Sequence, residues 1–228
     1  MAETKDSLDG LILVNKPSGI TSHDVVDSVR AKLGIRRVGH AGTLDPLADG
    51  LLIILVGKHT KLFQKFIEFR KEYLGVLKLG ETTTTGDSEG KTLKVSSYSN
   101  INRALINEAF SCFLGEIEQV PPMVSAVRVG GKRLYNLARK GIVVERKSRK
   151  VRIYKLDVLD VTMPMVEFYA ECSKGTYIRK LAEDVGEKLG CGAHITKIRR
   201  LAIGPFRLEN AVDLEKVSRD NIKKLSSF

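Results

Sequence analysis

Cysteine is scarce in this 228-residue chain, and Cys112, Cys172 and Cys191 are odd in number, far apart and without a Cys-x-x-Cys pair. That spacing argues against a disulfide framework and a zinc site, and it fits a reducing compartment. The four histidines, His23, His40, His59 and His194, are scattered without ligand spacing, so a metal site has no support. Neither Gly-x-x-x-x-Gly-Lys-Ser/Thr nor Gly-x-Gly-x-x-Gly occurs, which removes the usual nucleotide-cofactor fingerprints, and no cofactor is expected. No apolar segment reaches membrane-spanning length, and the polar start Met-Ala-Glu-Thr-Lys-Asp-Ser lacks a signal-peptide core. Internal repeats, low-complexity tracts, Pro/Ser-rich linkers and heptads are also missing. The expectation is a soluble, cytoplasmic protein acting as a monomer.

Positive charge is what the chain has in excess. Lys and Arg number 38 against 27 Asp and Glu, giving a net charge of +11 with 43% hydrophobic residues. From Val127 to Lys155 there are eleven basic residues and one acid, Glu145, so this stretch carries nearly all of the net charge. It includes Arg128, Lys132, Arg133, Arg139, Lys140, Arg146 and Lys147, with Tyr135 and Tyr154 among them and Gly130-Gly131 as a pivot. A concentrated basic stripe is the footprint of a polyanion partner such as nucleic acid. An anionic membrane surface fits less well, because the stripe lacks the amphipathic helical pattern of an interfacial anchor.

The apolar pattern sets out a series of elements. Leu11 to Val14 reads as a buried strand, and Thr21 with Asp24 has capping-box spacing ahead of a helix bearing Val25, Val26, Val29 and Leu33 and ended by Gly34. Leu51 to Val56 is a short apolar strand or buried helical turn. Thr60 to Phe69 has helical spacing through Leu62, Phe63, Phe66 and Ile67. Tyr73 to Leu79 is strand-like, and Thr82 to Gly90 reads as a loop. Ile101 to Leu114 reads as a helix turning Leu105, Ile106, Phe110, Phe113 and Leu114 inward. Strands follow around Val151 to Val161 and Val166 to Cys172, then a helix from about Tyr177 to Leu189. Helices and strands interspersed this irregularly favour α+β over a regular βαβ array.

Between Gly39 and Gly50 lies a glycine-punctuated turn carrying Asp45, next to the cations Arg36 and Arg37. A loop of this composition is expected to expose its side chains, with Gly39, Gly42 and Gly50 allowing backbone geometries that a Cβ would block. Asp-Pro and Asp-Gly are also ordinary turn dipeptides, so the loop alone does not define a site.

Several separated segments together closely resemble the TruB-type pseudouridine synthases. They are Val14-Asn15-Lys16-Pro17-Ser18-Gly19-Ile20-Thr21-Ser22, Gly39-His40-x-Gly42-Thr43-Leu44-Asp45-Pro46-Leu47-Ala48, Lys71-x-Tyr73, Gln119-x-Pro121-Pro122-x-x-Ser125-Ala126, and Cys172 to Arg179. The resemblance implies a pseudouridine synthase fold, with a mixed, largely antiparallel central sheet flanked by helices. It implies isomerisation of uridine-55 in the T-loop of tRNA: the base leaves its ribose nitrogen linkage, rotates and reattaches through carbon. Base flipping brings the uridine to a recessed carboxylate.

Asp45 stands at the family's catalytic aspartate, acting either as a nucleophile or as the base of an elimination to a glycal. Arg179 matches the arginine that pairs with that carboxylate, and Tyr73 the aromatic that stacks on the extruded uracil. Tyr177 is expected to pack against the site, and His40 to fill the space left by the flipped base. Lys16 and Lys61 are expected to meet phosphates or support the pocket. Residues 127–155 match the family's insertion that closes over tRNA, so Arg128, Lys132, Arg133, Arg146 and Lys147 are expected RNA contacts. The expected organisation is a catalytic domain over 1–212 and a short helical tail over 213–228, without the PUA-type RNA-binding domain that bacterial members commonly add. Two alternatives stand beside this reading: a guide-RNA-dependent synthase subunit, and an RNA-binding tRNA-folding chaperone.

Overall fold

The structure is a computed structural model, and it describes residues 9–125, 128–134, 137, 141–142 and 144–224, without the side chains of 128, 129, 132 and 133. Val127, Tyr135, Arg139 and Lys140 of the basic stripe lie outside the described residues, as do the first eight residues and the last four. The fold is α+β, with a large, mostly antiparallel sheet and four α-helices among the described residues. The chain divides into two compact units, Met1–Tyr73 with Arg199–Phe228, and Leu74–Ile198.

The first unit is organised by two apolar strands, β1 (Gly10–Lys16) and β3 (Asp49–Val56), paired antiparallel with Leu11 opposite Leu55 and Leu13 opposite Ile53. Side chains alternate across a strand, so an unbroken apolar run implies burial on both faces. Ile12, Val14, Leu52, Ile54 and Val56 pack with Val25, Val26, Val29 and Leu33 of α1 (Ser22–Leu33). Leu11, Leu13, Leu51, Ile53 and Leu55 face the other way, onto Phe66, Ile203 and Phe206. Phe66, Phe69 and Phe206 meet there with ring centroids 5.7–6.2 Å apart.

The capping box of α1 forms as expected. The Thr21 hydroxyl accepts from the Asp24 amide at 3.1 Å and the Asp24 carboxylate from the Thr21 amide at 2.7 Å, while Gly34 closes the helix at φ +67°. The outer edge of β3 is shared. β2 (Val38–Ala41) pairs antiparallel with Ile53 to Val56, and β12 (Ala193–Ile203) pairs parallel at Asp49 and Gly50 through Arg199 and Arg200. The turn bearing Asp45 leaves the sheet where one partner ends and the other begins.

In the second unit β10 (Arg149–Thr162) pairs antiparallel with β7 (Gly115–Gln119) and β11 (Met165–Cys172). Along β11, Val166, Phe168, Ala170 and Cys172 are buried in strict alternation, and Phe168 meets Phe110 of α3 (Arg103–Ser111) at 5.4 Å. Another helix, α4 (Ile178–Lys188), buries Ile178, Leu181, Ala182 and Val185.

Some expected elements differ. Leu105 and Leu114 are exposed, because α3 is shorter than the expected span and its buried stripe runs through Ile106, Ala109 and Phe110. Phe63 is likewise exposed: a 3-10 segment, Gly57–Leu62, precedes the five-residue α2 (Phe63–Ile67) and shifts the helical phase. The Thr82 to Gly90 stretch begins inside β5 (Glu81–Thr83), which pairs with β6 (Thr92–Val95). The expected helical tail consists of β14 (Val212–Asp213), parallel to β1, and two 3-10 turns that bury Leu214 and Val217.

Candidate functional site

The Asp45 turn is more tightly built than its composition suggests. Gly39 and His40 belong to β2, and the turn proper runs from Gly42 to Ala48. Ala41, Leu44 and Ala48 are buried against the core, and Asp45 is half-buried. The expectation that this loop exposes its side chains holds only for Thr43 and Pro46, because every third or fourth residue is an apolar anchor.

Three buried polar side chains bind the backbone of the turn. Ser22, at the start of α1, accepts from the Leu44 amide at 2.9 Å and donates to the Leu44 carbonyl at 3.0 Å. Arg200 donates to the carbonyls of Gly42 at 2.9 Å and Thr43 at 3.4 Å, and through Nε to Leu51 at 2.8 Å. The Leu51 carbonyl lies in the gap between the β2 and β12 pairings of β3, so the guanidinium supplies a donor there. Lys16, fully buried, donates to Pro17 at 2.9 Å, Pro46 at 3.3 Å and Ala48 at 2.6 Å. Burial lowers the Lys16 pKa to about 8, opposed by the charges of Asp49 and Asp45. Its ammonium is thus committed to backbone carbonyls, those of Pro17 and of the end of the turn. Asp49 accepts a two-pronged contact from Arg199, Nε at 2.8 Å and Nη2 at 2.9 Å, and so serves the turn's exit.

The first unit also carries three other candidates, His40, Tyr73 and Lys61. His40 presents an Nδ1 that is buried and meets no hydrogen-bond partner, and its pKa falls to about 4, chiefly by burial and then by the charges of Arg200 and His23. It is neutral at pH 7. Tyr73 is 9% exposed, on the buried face of β4 (Lys71–Leu79) with Lys71, whose ammonium is taken by the Phe69 carbonyl at 2.6 Å. Lys61 is exposed at the end of the 3-10 segment.

In the second unit the segment entering α4 is held just as firmly. Arg179 is 2% exposed, donating to the Thr85 carbonyl at 3.1 Å and the Val124 carbonyl at 2.7 Å, and lying 3.5 Å from the Asp87 carboxylate. Asp87 is itself buried and accepts from the Thr85 hydroxyl and, at 3.2 Å, from the Glu89 amide. The Gln119 amide faces the backbone of half-buried Tyr177, accepting from its N–H at 3.0 Å and donating to its carbonyl at 3.4 Å.

Sequence reasoning passed over Asp87, Gln119 as a clamp, Ser22 and Arg200. A period-two reading of β12 carries a signal for Arg200, since it shares the buried face of Ile198 and Ala202. Of the basic stripe, Arg149 to Lys155 are built into β10, where Lys150 pairs with Glu116 at 2.8 Å. Arg146 is half-buried and donates to the Pro121 carbonyl at 3.0 Å, and Lys147 is exposed. Arg128 and Lys132-Arg133 lie in the two-residue strands β8 (Arg128–Val129) and β9 (Lys132–Arg133).

Comparison with known proteins gives these residues their context. Residues 30–178 match the TruB family pseudouridylate synthase N-terminal domain, and 179–224 match the tRNA pseudouridylate synthase B C-terminal domain. The tRNA pseudouridine synthase B of Clostridium kluyveri is 48% identical over 217 residues, covering 95% of this chain and 75% of the relative. That of Opitutus terrae is 43% identical, covering 95% and 90%. Among solved structures, a Cbf5-Nop10-Gar1 complex matches with a TM-score of 0.73 at 28% identity, over 94% of this chain and 60% of that one. An H/ACA RNP bound to a substrate RNA containing 2'-deoxyuridine matches with a TM-score of 0.70 at 28% identity, over 94% and 53%. The chain thus spans little more than half of the structurally similar chains and at least two thirds of the curated relatives. With the N-terminal and C-terminal domain matches abutting at Ile178 and Arg179 and together covering residues 30–224, it belongs to the TruB family of pseudouridylate synthases.

Proposed function

We propose that this chain isomerises uridine-55 in the T-loop of tRNA to pseudouridine, as a cytoplasmic monomer, with Asp45 as the catalytic carboxylate. The observation that carries the reading is the Asp45 turn: a half-buried carboxylate in the family's motif, on a backbone fastened by three buried side chains. The tRNA substrate is supported by curated relatives at 43–49% identity named tRNA pseudouridine synthase B. The alternative of a guide-RNA-dependent subunit in a larger particle has less support: the neighbours that come from assemblies, an H/ACA RNP and a Cbf5-Nop10-Gar1 complex, are 28% identical.

The chemistry needs an ionised carboxylate beside the flipped nucleoside. In the nucleophilic route the Asp45 carboxylate bonds to ribose C1′ as the C1′–N1 bond breaks and uracil departs with its electron pair. The base turns, its C5 bonds to C1′ and displaces the carboxylate, and the C5 proton passes to solvent while N1 takes one up. In the elimination route the carboxylate instead takes the C2′ proton as uracil leaves, giving a glycal. C5 of the turned base then bonds to C1′ as that proton returns to C2′, and the C5 proton passes to solvent while N1 takes one up. Tyr73 is the proposed stacking partner for the uracil, worth about 1–3 kcal/mol. His40, neutral and with an unpartnered buried nitrogen, is proposed to take the space the base vacates. Arg179 is proposed as the site's cation, supported by its burial and by the carbonyls and carboxylate that fix it in place. Tyr177, Lys61, Arg128, Lys132, Arg133, Arg146 and Lys147 are proposed RNA contacts.

The test is tritium release from a 5-tritiated uridine T-arm RNA, with the modified position mapped. The wild-type chain is expected to release tritium from position 55 without a guide RNA, and Asp45→Asn to bind the RNA and release none. Turnover by Asp45→Asn at the wild-type rate would overturn the assignment.

A further inference from the structure

The Asp45 turn is anchored more heavily than burial requires. Ala41, Leu44 and Ala48, at 0%, 5% and 1% exposure, already fasten it to the core. Ser22 and Arg200, 2% and 1% exposed, are polar groups whose removal from water is costly unless they are hydrogen-bonded. The bonds they make converge on consecutive peptide groups. Arg200 takes the carbonyls of Gly42 and Thr43, and the Ser22 hydroxyl takes both the amide and the carbonyl of Leu44. The peptide planes from Gly42 to Asp45 are each held by a buried side chain, and the last of them carries the amide of Asp45. On the far side the Ala48 amide donates to the Asp45 carbonyl at 3.1 Å. Fixing both flanking peptides limits Asp45 to the freedom of its own side-chain torsions.

We propose, resting on the reading of Asp45 as the catalytic carboxylate, that Ser22 and Arg200 are positioning residues that set the backbone entering Asp45, so that its carboxylate meets the ribose in one orientation. Neither touches the substrate. Their contribution is to the rate of the chemical step and not to RNA affinity. Displacing a reacting group by about 1 Å costs on the order of a hundredfold in rate, and loss of one peptide anchor is expected to approach that.

The experiment measures single-turnover pseudouridine formation, RNA affinity and thermal midpoint for wild type, Ser22→Ala, Ser22→Thr, Arg200→Lys and Val29→Ala. Val29 is a fully buried core residue of α1, away from the turn, and controls for lost stability. Ser22→Ala and Arg200→Lys are expected to slow the single turnover by roughly 10- to 100-fold with RNA affinity within about threefold of wild type. Ser22→Thr keeps the hydroxyl and is expected to recover most of the rate, and Val29→Ala to lose stability but not rate. Rates of Ser22→Ala and Arg200→Lys within about threefold of wild type would overturn the proposal, as would an equal loss of rate in Val29→Ala. A wild-type chain that makes no pseudouridine would overturn the functional reading itself. An active wild type with unimpaired variants overturns only the positioning role.

Discussion

Replacing His40 with glutamine should flatten the acid side of the stability profile. Its imidazole is held at a pKa of about 4 against an ordinary 6.5, first by burial and then by the Arg200 and His23 charges. A folded-state pKa below the unfolded one means that the unfolded chain binds more protons between those two values. The contribution is therefore fully present above about 6.5 and is lost as pH falls toward 4. At about 1.4 kcal/mol per pKa unit, the linkage between pH 7 and pH 5 comes to about 2 kcal/mol. Urea unfolding at the two pH values, for wild type and His40→Gln, isolates it, because the carboxylates titrate alike in both and cancel in the difference. Wild type is expected to lose about 2 kcal/mol more than the variant over that interval. Parallel profiles, or an NMR titration of the His40 ring with its midpoint near 6.5, would refute the reasoning.

Two other perturbations test the geometry directly. Asp87→Ala removes the carboxylate 3.5 Å from Arg179 where both side chains are less than 10% exposed, and breaking a buried ion pair by deleting one partner is expected to cost up to about 3–5 kcal/mol in chemical denaturation. A loss under about 1 kcal/mol would show that the Asp87 charge is not needed to hold Arg179 in place. Gly50→Ala adds a Cβ 2.8 Å from the Arg200 amide at a residue with φ of +101°, so its loss of thermal stability should exceed that of Gly115→Ala. Gly115 has a comparable φ of +90° and nothing within 4 Å of the added carbon, which limits its cost to backbone strain of about 1–3 kcal/mol. Equal losses in the two variants would contradict the close approach of the backbones at Gly50.

The parts of the fold legible in the sequence are those whose side chains answer to one local period. α1 announces itself by Thr21, Asp24 and Gly34, and the structure forms that capping box and left-handed cap. β11 shows its buried face through Val166, Phe168, Ala170 and Cys172. Leu51 to Val56 was ambiguous between strand and helix because an apolar run has no period of its own, and its burial on both sheet faces accounts for that. Where the chain changes period, reading failed. The 3-10 segment before α2 shifts the phase and turns Phe63 outward, and a stretch read only as a loop begins in a short strand whose partner, β6, is exposed at every residue.

Asp45, Tyr73 and Arg179 stand out in the sequence as candidates because motif and residue type coincide, whereas the groups that hold the Asp45 backbone and the Arg179 side chain stand out far less. Asp87 sits in Thr-Thr-Thr-Thr-Gly-Asp-Ser-Glu-Gly, which reads as solvated turn; a bridge to Ile195, more than a hundred residues away in sequence, and the contact with Arg179 draw it into the interior. Arg200 follows Arg199, and its neighbour is exposed and paired with Asp49. Strand alternation is what separates the two, sending one guanidinium to the surface and the other among backbone carbonyls. Lys16 makes the same point. A lysine in a Pro-Ser-Gly turn looks like a surface cation, yet burial draws its pKa down to about 8, and a lysine at that value is still mostly protonated at pH 7. The Asp49 and Asp45 charges and the carbonyls of Pro17, Pro46 and Ala48 offset the loss of water. A turn must satisfy its peptide groups somewhere, and this one satisfies them with buried donors from distant segments, which the local pattern of the turn itself does not disclose.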